Sequence, residues 1–214
     1  MKVTSKALKQ EPIYYPDSDG EPMAEGDSQR DSLVYLVEAL KDHFKDQPQV
    51  YVSGNLLIYY EEGNPHRSVA PDVFVVFDVP KQKRNIYQTW VEGKGPDVVI
   101  EITSPSTRQI DAKKKPDLYQ QLGVQEYYQY DPSGYYLKPA LRGRTLDDSG
   151  IYKDMTTIRG LDRSVILNSE VLGLQFRLEA GELRVFDPRT KTYVFTFSEE
   201  RQQKIHALQQ VEQE

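Results

Sequence analysis

The sequence predicts an α/β protein of the α+β kind, with an αβββαβ core on one mixed sheet flanked by helices and C-terminal β-hairpins after it. Three observations carry this reading. An amphipathic helical repeat covers 29–46, ahead of any strand. Three β-rich runs follow, with links too short to be crossovers. A helical stretch then separates the third run from a fourth, so the fourth returns parallel to the third. At 214 residues the chain is long enough to bury a core without disulfides or metals, and its length suits one domain with appendages.

Each element has its own reason. Residues 1–28 carry Pro12, Pro16, Gly20, Pro22 and Gly26 without a sustained period, and predict an irregular N-terminal arm. In the first helix Leu33, Leu36, Val37, Leu40 and Phe44 recur three and four apart; Asp31 or Ser32 is placed to cap it, and Pro48 to close it. The first β run spans 51–60, with Ser53-Gly54-Asn55 as a bend. The second spans 69–79, the third 97–103 and the fourth 126–131. The helix between the last two ends at Gly123, a C-terminal cap, and contains Pro116, which predicts either a start near Lys115 or a kink there. Asp131-Pro132-Ser133-Gly134 is strong turn chemistry. Turn signals through 133–197 predict short antiparallel hairpins beside the core, and 198–214 a polar helix. The domain is therefore expected over 29–197, with its core at 29–132 and a β extension at 133–197.

Composition excludes much. There is no cysteine, which removes disulfides, thiolate zinc sites, iron–sulfur ligation and a cysteine nucleophile. Histidine occurs only at 43, 66 and 206, without metal-binding spacing. A metal site must be built mainly from carboxylates, which suits hard ions such as magnesium or manganese. The 27 basic and 33 acidic residues give a net charge of −6, so any nucleic-acid contact must be a local basic patch. No apolar run approaches the roughly 20 residues of a bilayer span and no secretory signal is visible, so a cytoplasmic protein that avoids membranes is expected.

Two acids stand out. Asp72 lies near the start of the second strand and Glu101 near the end of the third, which runs the opposite way, so both carboxylates converge at one end of the sheet. Glu101 interrupts an otherwise apolar strand. A buried carboxylate needs a cation, a proton or hydrogen bonds, and one divalent ion would satisfy both acids.

The stretches Ala70-Pro71-Asp72-Val73-Phe74-Val75-Val76, Pro96-Asp97-Val98-Val99-Ile100-Glu101-Ile102-Thr103-Ser104-Pro105-Ser106-Thr107, Gly123-Val124-Gln125-Glu126-Tyr127-Tyr128 and Asp131-Pro132 resemble, in order and spacing, a bacterial restriction-endonuclease-like family of the PD-(D/E)XK nuclease superfamily. Ser169-Glu170-Val171-Leu172-Gly173-Leu174 extends the likeness, which covers about residues 30–190. The resemblance implies a restriction-endonuclease-like core and a metal-dependent endonuclease that hydrolyses DNA phosphodiester bonds through metal-activated water. It implies Asp72 and Glu101 as the metal-binding acids, with Mg2+ or Mn2+ as cofactor. Thr103 stands where the superfamily motif has its lysine. The family's lysine has moved to the following helix, where Lys115 matches best and Lys113 is the substitute. Superfamily members often add an acid from the first helix, and Glu38 is the candidate third metal ligand. DNA is the implied substrate and a homodimer the implied assembly, since cutting both strands takes two sites.

Other residues are weaker candidates. Tyr119, four residues after Lys115, can steady the lysine or pack. His66 lies in the loop before Asp72. The tyrosines at 127, 128 and 130 can stack on bases but more commonly fill a core. Lys81, Lys83, Arg84 and Lys94, together with Arg108, Lys113, Lys114 and Lys115, suggest a basic rim. Two other functions fit the same residues: a catalytically decayed nuclease fold that serves as a binding or scaffold protein, favoured by Thr103 and the acidic balance, and a metal-dependent hydrolase of RNA or nucleotides.

Overall fold

The computed structural model describes residues 13–18, 20, 26–103, 108–160, 164–196, 198–199, 201–202, 205 and 209, and for 108–113 the backbone alone. Most of the predicted arm, the turn at 104–107 and most of the predicted C-terminal helix lie outside the described residues. Among the described residues the elements are, in order, α1 (Asp27–His43), β1 (Val50–Ser53), β2 (Ile58–Tyr59), β3 (Ser68–Val69), β4 (Val73–Phe77), β5 (Tyr87–Gln88) and α2 (Thr89–Glu92). They continue with β6 (Val98–Ile102), α3 (Arg108–Gln121), β7 (Glu126–Tyr130), β8 (Leu141–Leu146) and β9 (Tyr152–Asp154). They close with β10 (Ile158–Arg159), β11 (Val165–Ser169), β12 (Leu174–Glu179), β13 (Glu182–Asp187) and β14 (Thr192–Tyr193).

A mixed six-stranded sheet in the order β1-β4-β6-β7-β8-β9 forms the centre. Its pairs are antiparallel except β6 with β7, which α3 joins as a crossover. The predicted αβββαβ core is therefore α1-β1-β4-β6-α3-β7. The strands alternate side chains between two apolar faces. One face, with Val52, Val75, Val98 and Ile100, packs on Leu36, Ala39 and Leu40 of α1 and on Leu167, Phe176 and Val185 of the second sheet, ordered β10-β11-β12-β13-β14. The other, with Phe74, Val76, Val99 and Tyr127, meets Tyr119 of α3 and Ile58 and Tyr87 of the small β3-β2-β5 sheet. Each fully buried aliphatic side chain contributes about 1.5–3 kcal/mol.

Several local expectations are corrected. The helix starts at Asp27 because Gly26 is its cap, its N–H held by the Gln29 side chain at 3.0 Å; neither Asp31 nor Ser32 caps it. The first β run splits at Gly54 into β1 and β2 in different sheets, and the second into β3 and β4. The charged link at 80–95 holds β5 and α2. Pro116 lies within α3, which starts well before Lys115. Gly123 has φ +75°, the left-handed turn expected after the helix. Of the hairpins expected beside the core, β8 and β9 instead extend the core sheet. Among the described residues no helix is long and apolar enough to cross a membrane.

Candidate active site

Asp72 and Glu101 meet because of strand register. Val73 pairs with Ile100, so the next position outward sets Asp72 opposite Glu101. The N–H of Ile102 donates to Asp72 Oδ2 at 2.6 Å and fixes the carboxylate at the strand end. Gly54 permits the approach of β1, since a Cβ there would lie 2.3 Å from the Asp72 carbonyl oxygen. Pro-Asp pairs occur at 16–17, 71–72, 96–97 and 116–117, and of their aspartates Asp72 is the one that meets Glu101. Asp97 accepts the N–H of Phe77 at 2.7 Å and pairs with Lys94 at 2.8 Å, which fastens β4 to the start of β6.

Glu101 is fully buried. Lys115 Nζ stands 2.8 Å from its Oε2, and the Tyr119 hydroxyl donates to its Oε1 at 2.5 Å. One turn of α3 thus presents both groups to one carboxylate. The side chain of Lys113 lies outside the described residues, and Lys114 is exposed. Burial, and then the neighbouring Glu101 charge, push the Asp72 carboxyl up to about 8, against a smaller lowering by Lys115 and the Ile102 N–H. Burial also raises the Tyr119 hydroxyl well above its ordinary value, so it remains a donor at neutral pH. Two oxygen-donor acids short of positive charge fit a hard divalent cation.

Glu38 is exposed: helical spacing turns Leu36, Ala39 and Leu40 to the core and Glu38 away from it. Among the described residues no group of three or more His, Asp or Glu gathers to hold a metal. The helix α1 does send a side chain to this end of the sheet, but it is Gln29, whose amide donates to the Thr103 carbonyl at 3.3 Å. Thr103 is buried, and its hydroxyl has no hydrogen-bond partner among the described residues. His66 is exposed, and Tyr127, Tyr128 and Tyr130 are core residues, unavailable for stacking on bases. The expected rim is largely occupied by the fold. Lys81 donates to the carbonyls of Phe44 and Lys45 at the end of α1, at 2.6 and 3.1 Å. Arg84 forks Glu92 with two bonds of 2.7 Å.

Sequence reasoning missed the row that continues from Glu101 across the sheet. Glu101 pairs with Gln129, and Gln129 with Arg142, so all three share one face. Beyond Gln129 lies a cavity of about 280 Å³ lined by Tyr127, Lys138, Arg142 and Arg144 among others. Only the pairing of β7 with β8 reveals this, and no local pattern announces it.

The comparisons with known proteins follow this geometry. One matching solved structure is "a putative nuclease belonging to DUF820" from Anabaena variabilis: 19% identity over 78% of this chain and 70% of that one, with a TM-score of 0.42. No curated protein matches. A family model described as "Putative restriction endonuclease" matches residues 9–207, nearly the whole length. The chain belongs to that family, Uma2.

Proposed function

We propose that the chain is a metal-dependent endonuclease that hydrolyses DNA phosphodiester bonds, with Asp72 and Glu101 holding Mg2+ or Mn2+ and Lys115 assisting. The observation that carries this reading is the meeting of a buried carboxylate, Glu101, and a half-buried one, Asp72, at paired strand ends with a lysine Nζ 2.8 Å from the first. When bound, such an ion lowers the pKa of a coordinated water and offsets charge on the phosphate. Asp72 and Glu101 supply hard oxygen donors on a rigid sheet, which fixes where a phosphate would sit. Tyr119 restrains Glu101 through its hydroxyl. Lys115, on a flexible stem over the same carboxylate, is placed to swing onto a phosphate oxygen or to orient the attacking water. Thr103 cannot take that part, having no charge to offer.

One observation favours the decayed scaffold as a second reading: Lys115 stands 2.8 Å from Glu101 and gives that buried carboxylate a counter-charge of its own. Cleavage of supercoiled plasmid in magnesium or manganese, with metal binding measured by calorimetry, separates the two. The expected outcome is nicking by the native chain and none by Asp72→Ala or Glu101→Ala, with Lys115→Ala slowed by about 10²–10⁴-fold. Absence of both nicking and metal binding in the native chain would leave the scaffold reading. Cleavage of RNA but not DNA would move the substrate to RNA.

A further inference from the structure

Asp72, Glu101, Gln129 and Arg142 occupy successive strands at one level of the sheet, on one face. The row passes from two acids through a neutral amide to a guanidinium. Strands are about 4.8 Å apart, so the Cα atoms of Glu101 and Arg142 are roughly 10 Å apart. The cavity beside Gln129 is lined by Lys138, Arg142 and Arg144. One acid lines it as well, Asp154, whose side chain is 86% exposed and pairs with Arg144 at 3.2 Å. Such an exposed pair holds its arginine weakly. Arg142 donates one N–H to the Lys138 carbonyl at 2.6 Å, which braces the guanidinium at the cavity. A guanidinium carries five N–H donors in a planar fork suited to phosphate oxygens. At about 280 Å³ the cavity suits a single compact anion rather than a nucleobase pair.

We propose that this cavity is a phosphate-binding subsite, which holds the phosphate neighbouring the scissile one on the same nucleic-acid strand. The proposal rests on the phosphodiesterase reading of the carboxylate site. Once the scissile phosphate lies against Asp72 and Glu101, the next phosphate along the strand is the anion within reach of Arg142 and Lys138. The carboxylate site would hold one phosphate and the cations two strands away the next, so the pair of sites fixes both position and direction of the backbone. A substrate with one isolated phosphodiester would forgo this anchor.

Calorimetry in calcium with the full chain tests it, using thymidine dinucleotides that carry a 5′-phosphate, a 3′-phosphate or neither. One of the two terminal phosphates is expected to tighten binding about tenfold, equivalent to about 1.4 kcal/mol. Arg142→Ala and the Lys138→Ala/Arg142→Ala pair are expected to erase that gain, and Arg142→Lys to keep part of it. Equal binding of all three dinucleotides by the native chain would overturn the proposal. So would survival of the gain in the double variant, or no binding of any dinucleotide. The readout does not depend on cleavage: an Arg142-dependent gain in a protein that cuts nothing would sink the nuclease reading and leave the subsite standing.

Discussion

Asp72 is held where its charged form is disfavoured, and this has a thermodynamic signature. In the metal-free protein its carboxyl is raised from 3.8 to about 8, so between those values the folded state binds a proton that the unfolded chain has released. Stability from this group is therefore full below about pH 4 and lost as pH rises towards 8, with a slope of up to about 1.4 kcal/mol per pH unit. Melting curves in EDTA should show the native chain weakening over that window and Asp72→Asn weakening less; parallel curves would refute the assignment. The residues of this pair were legible in the sequence because each is a charged side chain where the chain is otherwise apolar. Lys115 was legible only through resemblance, since three consecutive lysines look alike until one is seen at 2.8 Å from Glu101. Gln129 and Arg142 were not legible: polar residues in strands mean little until the partner strand is known.

At the scale of elements, β7 does more than continue the sheet. Glu126, buried at its start, accepts the Ser169 hydroxyl, the Tyr128 hydroxyl at 3.0 Å and the N–H groups of Glu170 and Val171 at 2.8 and 3.1 Å. One carboxylate thus staples the core sheet to the turn between β11 and β12. Glu126→Ala leaves those donors buried without an acceptor and should cost about 3 kcal/mol or more in urea unfolding, whereas a loss under about 1 kcal/mol would show that the staple is dispensable. Helix α3 was readable from its stop at Gly123, and the order of the core strands from short links and turn residues. Their boundaries were less so. The start of α1 hid behind Gly26, which has no capping side chain of its own. The split of the first β run needed the close pass of Gly54 to the Asp72 carbonyl, a contact between positions 18 residues apart in sequence.

Across the whole molecule, a chain of net charge −6 places its cations unevenly. Many are spent inside the fold, as Arg84 on Glu92 and Lys81 on the end of α1, while Lys138, Arg142 and Arg144 face one cavity. Net charge alone was therefore a poor guide to where an anion could bind. The two sheets are bound together by α1: Leu36 and Leu40 enter the same apolar cluster as Leu167 and Phe176, and the Tyr35 hydroxyl receives the N–H of Val185 at 3.0 Å. A chain ended after Asp154 keeps Asp72, Glu101, Lys115 and Arg142 but uncovers that cluster. It should melt without cooperativity and bind a hydrophobic dye, and a sharp melt at the native temperature would show the second sheet to be an ornament. The same arrangement sets an order of events on the ribosome. When Tyr130 has emerged, both acids and the lysine already exist, yet α1 must keep one flank bare until Val185 is synthesised. A nascent chain thus owns its chemistry before it owns its shelter, and for that interval the bare flank of α1 is the surface a chaperone would find.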